Sequence, residues 1–279
     1  MTVPLRLEAP AKLNLDLRVV GRREDGFHEL ESTVELLELA DRILLMPGCS
    51  GLRIEGAEPG SVPVDAPNLA WRGLEAGLDG PPDLACLTVE KRIPVAAGLG
   101  GGSSDAAAAW RLGRAWRGLP DIAPPDQVAA LAAIGADVPF FAAGVAAARV
   151  TGIGEEVQPV AAVAREVVLV HPPFGLHTAE VFVELRPEEW GSAPNDLEAP
   201  ARRLRPDLDE LFSRVRQLGV EPRMTGSGPT IFVLDEDAER ADALATRLGT
   251  AGIRVTRTRT RTERTHIELI DEAPEKEDE

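Results

Sequence analysis

The sequence predicts a mixed α/β fold of the α+β type, arranged as two domains. Three observations carry this. The first is length: 279 residues allow about two domains at roughly 100–200 residues each, and either could bury its own core. The second is periodicity: stretches alternating apolar and polar residues, as half-buried strands do, are interleaved with stretches at helical spacing. The third is composition: 44% hydrophobic and 27% charged residues, with 26 Gly and 23 Pro spread along the chain, are globular proportions. Charge narrows the partners. With 30 Lys+Arg against 46 Asp+Glu the net charge is −16, which disfavours nucleic acid and anionic membrane surfaces and leaves room for a small phosphorylated ligand in a local basic pocket. Cys49 and Cys86 are read as neither a disulfide framework nor a metal cluster. No stretch has the apolar core of a signal peptide or the roughly 20 apolar residues of a spanning helix, so the expected location is cytoplasmic.

Each element follows from local pattern. Leu5, Leu7, Leu13, Leu15 and Leu17 fall at odd positions, a strand period that Pro10 and Ala11 interrupt, predicting two strands or one with a bulge. Residues 21–26 read as a turn and 30–45 as strand-bearing. Asn68 begins a helix carrying Leu69, Trp71, Leu74 and Leu78, stopped by Gly80-Pro81-Pro82. Residues 84–93 alternate as a strand, and an Ala-rich helix is expected over 106–116. A further helix spans about 126–134, and Gly135 to Pro139 turns into an apolar segment. The domains are expected at 1–153 and 154–270. Within the second, 167–170 and 231–234 are predicted strands, and 208–218 and 238–248 predicted helices. Arginine alternates with threonine over 254–264, which reads as a solvated edge strand whose charges oppose aggregation. Residues 271–279 hold six acids and one lysine and are expected to be a disordered acidic tail.

Between the predicted strand and the Ala-rich helix lies the most unusual stretch, Pro94-Val95-Ala96-Ala97-Gly98-Leu99-Gly100-Gly101-Gly102-Ser103-Ser104. Its composition is that of a phosphate cradle. Glycines let backbone N–H groups approach an anion, the first turn of the following helix adds free N–H groups and a favourable dipole, and two hydroxyls add donors. The spacing is not the Walker pattern, because no lysine follows the glycines, nor the dinucleotide G-x-G-x-x-G; the protein-kinase H-R-D and D-F-G motifs are missing too. The alternative is a flexible linker.

Two charged residues stand in apolar surroundings: Lys12 in Ala9-Pro10-Ala11-Lys12-Leu13-Asn14-Leu15, and Asp137 in Gly135-Ala136-Asp137-Val138-Pro139-Phe140-Phe141. Paired, they would offset each other's desolvation and set a carboxylate beside a cation to orient an alcohol. On the residues alone, Asp137 as a helix N-cap and Lys12 as a strand lysine snorkelling to solvent remain open. Gly226-Ser227-Gly228 is either a turn packed on the nucleotide loop or a tight turn feeding a strand.

Pro10 to Leu15, Pro94 to Ser104, and Met224-Thr225-Gly226-Ser227-Gly228-Pro229 together resemble the three signature motifs of the GHMP small-molecule kinases. Gly26-Phe27-His28-Glu29-Leu30 and Gly135 to Phe141 resemble the branch acting on 4-diphosphocytidyl-2-C-methyl-D-erythritol. The resemblance implies a two-lobed fold with the active site in the cleft between the lobes, and ATP-dependent phosphorylation of that alcohol's 2-hydroxyl in non-mevalonate isoprenoid precursor synthesis. It implies Lys12 and Asp137 as the catalytic pair, with Asn14 near the same centre. Asn68 and Lys91 match positions lining the adenine pocket. The loop from Pro94 through Ala97, Gly98, Leu99, Gly100, Gly101, Gly102, Ser103 and Ser104 would hold the ATP phosphates. His28 would read the cytosine edge, Phe27 and Phe182 would stack on the base, and Thr178 is a further substrate-side position. Without the resemblance, His28 is a loop histidine between Asp25 and Glu29, and the two phenylalanines are core residues. Mg²⁺ is expected with ATP, held by phosphates and water because no acidic ligand cluster is evident. Asn195-Asp196 also fits the family, without a chemical role. The alternatives are another GHMP kinase, which would lack a base to stack, or a non-catalytic nucleotide sensor, which would not need Lys12 and Asp137.

Overall fold

The computed structural model describes residues 3–56, 68–82 and 85–270. In chain order its elements are β1 (Leu5–Asn14), β2 (Arg18–Arg22), β3 (His28–Pro47), β4 (Gly51–Glu55), α1 (Leu69–Leu78), β5 (Ala85–Glu90), α2 (Gly101–Trp116), α3 (Pro125–Ala130), α4 (Val138–Ala142), β6 (Ala147–Gly152) and β7 (Glu156–Pro159). They continue with β8 (Glu166–His171), α5 (Thr178–Glu184), α6 (Glu198–Leu204), α7 (Pro206–Arg216), β9 (Arg223–Met224), β10 (Ile231–Asp235), α8 (Ala238–Thr250), β11 (Arg254–Arg259) and β12 (Glu268–Leu269). The expected tail at 271–279 and Leu84 lie outside the described residues.

Two sheets organise the chain. The first runs β12-β1-β3-β5-β4, with β2 and β6 paired to the other half of β3 and β7 paired to β6; the second is antiparallel, in the order β11-β8-β10-β9. β1 is a single strand whose register shifts between Pro10 and Lys12, where proline has no N–H to give the ladder. β3 is one continuous strand that serves both halves of its sheet. The sheets change over between Pro159 and Glu166, beyond the expected boundary at 153/154, because β7 stays paired to β6. β12 then returns to the first sheet against β1.

α1 starts where Asn68 caps it, its side-chain oxygen accepting from Ala70 N at 2.9 Å. It lies on α2 in close backbone contact: a Cβ on Gly73 would stand 2.0 Å from the Ala106 carbonyl oxygen, and one on Gly77 2.3 Å from that of Trp110. α2 begins inside the glycine stretch, ahead of the alanine run, because Gly100 in the left-handed region (φ 71°) serves as its N-cap. Ala106 to Ala109 are all buried.

Three apolar clusters fill the lobes, and a fourth is shared: Ala11, Leu13 and Leu37 from the first sheet meet Val167, Leu169 and Phe232 from the second, with Ile93, Ala97 and Leu99 between them. The glycine-rich loop therefore grows out of an interlobe seam, pinned by its apolar residues.

Two sequence expectations are corrected. Cys49 and Cys86, read as no disulfide framework, are joined by a disulfide with Cα atoms 5.3 Å apart. β4 runs parallel to β5 with Gly51 opposite Cys86, which delivers Cys49 to its partner. The arginine stripe does form an edge strand, but its side chains are engaged rather than merely solvated. Arg257 and Arg259 pair with Glu166, Arg261 with Glu8 across the lobes, and Arg264 with Asp121. Among the described residues no helix is long and apolar enough to cross a membrane.

Candidate active site

The glycine-rich loop is held from three sides. Leu99 O accepts from Lys12 N at 2.9 Å. At the loop's base, Asp41 Oδ1 accepts from the backbone N–H groups of Arg92 and Ile93 at 2.5 and 2.8 Å. Gly98 (φ 76°) faces the turn after β9, where a Cβ would meet Gly228 O at 2.6 Å and Thr225 O at 3.1 Å. The two glycine motifs thus pack on each other, one of the two readings open from sequence. Gly100 has no room either: its Cβ would lie 2.9 Å from both Lys12 Cγ and Phe141 Cζ. Gly102 is different. It is exposed, and a Cβ there would touch only Leu69 Cδ1, at 3.4 Å; the protein itself does not demand a glycine, whereas a ligand lying on the helix N-terminus would. No acidic residue occupies the first turn of α2, so its field favours an anion.

The structure separates the loop residues by exposure. Pro94, Gly98, Gly100, Gly101 and Ser103 are half-buried and Gly102 is exposed, while Ala97 and Leu99 serve the seam. Ser104 turns inward: it is buried, and its hydroxyl has no hydrogen-bond partner. Helical geometry explains this, because Ser104 shares a face with the buried Ala107 and Ala108. Asn68 spends its oxygen on the cap of α1. Lys91 points under the loop, donating to Asp41 and, at 2.7 Å, to Asp105.

Beside the loop, Lys12 and Asp137 come together, Nζ to Oδ2 at 3.7 Å. That is ion-pair range, beyond a direct hydrogen bond. The lysine side chain is 6% exposed and the aspartate 47%, so the carboxylate fronts solvent and the ammonium backs it. Asp137 stands at the N-cap position of α4 but makes no side-chain cap, which sets aside the capping reading. Asn14 accepts from Lys12 Nζ, and its side-chain amide donates to Ser32 Oγ at 2.7 Å. Its backbone N–H donates to Thr225 Oγ1 at 2.9 Å. A Cβ on Gly226 would lie 3.0 Å from Lys12 Nζ and 3.2 Å from Asn14 Oδ1, so the second glycine motif roofs this centre.

Asn195 and Asp196 acquire a structural role. Asn195 donates to the carbonyls of Met224 and Gly226, both at 2.9 Å. Asp196 accepts from the backbone N–H groups of Val19, Gly191 and Ala193. Together they fasten the Thr225–Gly228 turn to the start of β2.

The substrate-side residues continue outward from that turn. Thr178 Oγ1 and Ser227 Oγ share a hydrogen bond of 2.8 Å. One turn along α5, Phe182 stacks on His28, centroids 5.1 Å apart and planes at 19°; Trp190 meets the same imidazole edge-on at 5.7 Å. Phe182 thus covers His28 itself. Phe27 is 60% exposed and presents its ring to solvent at the tip of the β2–β3 hairpin. Burial, then the Arg22 guanidinium, holds His28 below the usual imidazole value and so neutral near pH 7, with one donor and one acceptor. Trp190, Asp41 and Asp105 were not singled out from sequence. Asp105 directly follows the serine pair and Asp41 sits inside an apolar strand, signals of the kind that marked Lys12.

Known proteins carry the same pattern. Residues 68–145 match the family described as GHMP kinases N terminal domain, and 179–254 match GHMP kinases C terminal. The chain is 38% identical to a 4-diphosphocytidyl-2-C-methyl-D-erythritol kinase of Thermus thermophilus, covering 84% of this chain and 88% of that protein. It is 40% identical to one of Methylorubrum extorquens, covering 88% and 95%. A crystal structure of 4-(cytidine 5'-diphospho)-2C-methyl-D-erythritol kinase superposes with a TM-score of 0.75 at 37% identity, over 91% of this chain and 98% of that one. A homoserine kinase from Cytophaga hutchinsonii shares the fold alone, with a TM-score of 0.66 at 16% identity over 97% and 98%.

Proposed function

The chain belongs to the GHMP kinases, among the 4-diphosphocytidyl-2-C-methyl-D-erythritol kinases, and from that premise we propose which of its residues perform the phosphoryl transfer. The activity is ATP-dependent phosphorylation of the 2-hydroxyl of 4-diphosphocytidyl-2-C-methyl-D-erythritol. The observation that carries the residue assignment is the Lys12–Asp137 pair, 3.7 Å apart, beside a glycine loop that opens a helix.

ATP lies with its phosphates on the loop at 98–104 and the N-terminus of α2, against backbone N–H groups and the helix field. The substrate hydroxyl takes the gap between Lys12 and Asp137. Asp137 Oδ2 accepts its proton, the oxygen attacks the γ-phosphorus, and the bond to the bridging oxygen breaks to release ADP. Lys12 attracts the developing charge, and Asn14 holds the ammonium on the line between them. The cytosine stacks on the exposed Phe27 while His28, oriented by Phe182 and Trp190, supplies one donor and one acceptor to its edge. Phe27 has no phenol oxygen, so it contributes a stacking face and no hydrogen bond. Among the described residues no group of three or more His, Cys, Asp or Glu side chains converges on a metal position. Mg²⁺ would enter with ATP, held by the phosphates and water, and would neutralise phosphate charge in the transfer.

The test is ADP release from purified protein with Mg-ATP and one alcohol at a time: diphosphocytidyl-methylerythritol, homoserine, mevalonate or galactose. Turnover with the cytidine compound alone is expected. Turnover with another alcohol would overturn the stacking assignment, and none with any would favour a nucleotide sensor.

A further inference from the structure

The cluster beneath the phosphate loop holds more charge than it can pair. Asp41 on β3, Lys91 just after β5 and Asp105 near the start of α2 have side chains 0%, 6% and 7% exposed. Two carboxylates and one ammonium leave one unmatched negative charge, which burial makes costly. Asp41 is the better-satisfied acid, accepting from two backbone N–H groups as well as from Lys91. Asp105 accepts from Lys91 alone, and its Oδ1 is buried without a donor. Both carboxylates close on the same Lys91 ammonium, so a proton on one of them would bring the cluster to neutrality. Burial, opposed by Lys91 and reinforced by Asp41, pushes Asp105 up to about 8. Other charges on the packed elements are engaged elsewhere. Arg42 and Arg92 pair with Glu90 at the surface, and Arg53 with Glu55. Arg72 of α1 bonds the carbonyls of Ala133 and Ile134, and Arg111, further along α2, pairs with Asp121.

We propose that Asp105 is a positioning residue for the nucleotide phosphates: carrying a proton, it keeps the cluster neutral and leaves the positive end of α2 unopposed. This rests on the reading that ATP phosphates sit on the loop at 98–104. Lys91 in this account works below the loop, fixing its base. When that proton passes to solvent, a net negative charge appears under the loop and weakens the hold on phosphate, in a medium that screens poorly.

The experiment titrates ADP into the protein calorimetrically from pH 7 to 9.5, alongside KM for Mg-ATP against kcat. For the unsubstituted protein the Kd of ADP should rise about threefold or more across pH 8. For Asp105→Asn it should stay level at the low-pH value. The same rise in Asp105→Asn overturns the proposal, as does a Kd for that variant severalfold tighter than the unsubstituted protein's at pH 7, which would mean that Asp105 is already charged there. A merely structural Asp105 would alter thermal stability without flattening the profile. Should Asp105→Asn not fold, infrared spectra of the unsubstituted protein decide. A protonated-carboxyl band at pH 7 that is gone by pH 9.5 supports the proposal, and its absence at pH 7 overturns it. Gly102→Glu separates the two layers: ADP binding unaffected by a carboxylate on the exposed first turn would refute the phosphate site itself, whatever the behaviour of Asp105.

Discussion

Asp137 is the side chain on which turnover depends most directly. Asp137→Asn keeps the shape and removes the proton acceptor, so kcat should fall by about 10²–10⁴ while ADP affinity, read by calorimetry, stays within about twofold. Wild-type-like turnover would remove Asp137 as the base. His28 is tested by acid. Because its imidazole is held below the usual value, the neutral form that reads the base persists through pH 7 and charges only below about 6.5. KM for the cytidine alcohol should therefore climb as pH falls below 6, with KM for ATP unmoved, and His28→Ala should show a raised KM with no such slope. Lys12 and Asp137 were legible because a charge in an apolar run is conspicuous. Asn195 and Asp196 were not, since they act on backbone groups of Val19, Met224 and Gly226, far away in sequence. Nor was the inward turn of Ser104, which depends on where the helix starts.

The α1–α2 pair makes the case for elements. Its helices meet backbone to backbone at Gly73, Gly77 and Gly113, and α2 is the helix whose first turn faces the phosphates. Gly73→Val would drive side-chain carbon into the Ala106 carbonyl, 2.0 Å from the ideal Cβ position. The expected loss is about 3 kcal/mol, read as a lower urea midpoint at unchanged slope. An unchanged midpoint would mean that the pair separates without cost. Most elements were legible from period and punctuation: the Asn68 start, the Pro10 irregularity in β1, the strands at 167–170 and 231–234. The start of α2 was not, because glycines argue against a helix until Gly100 is known to take a left-handed conformation. The continuity of β3 was also hidden, since its two halves face different neighbours.

For the whole molecule, acid should act through the second sheet. His171 on β8 is buried, donates to or accepts from Thr256 Oγ1 at 2.9 Å, and leaves its Nδ1 without a partner. Burial, then Arg254, pushes its imidazole down to about 4. A base with a depressed native value contributes stability above its unfolded value of about 6.5, and loses it as pH falls through the native one. The thermal midpoint should drop between pH 6.5 and 4, and His171→Gln should flatten that stretch of the curve; an equally steep fall in the variant would place the acid sensitivity elsewhere. That there are two lobes was legible from length and interleaving. How they join was not: the seam through Leu99, Leu169 and Phe232 and the Arg261–Glu8 bridge link residues that no local pattern relates.

The return of β12 to the first sheet bears on how the chain is made. β12 pairs with β1, Leu269 opposite Leu5, so a strand made before the second sheet waits for one made after it. The four strands of the second sheet all lie between Glu166 and Arg259 and can close while the first sheet still has an open edge. An unpaired edge is where chains associate wrongly. During synthesis, then, the sheet that holds β1 gains its β12 pairing at Leu5 and Arg6 only after the second sheet's strands have all been made.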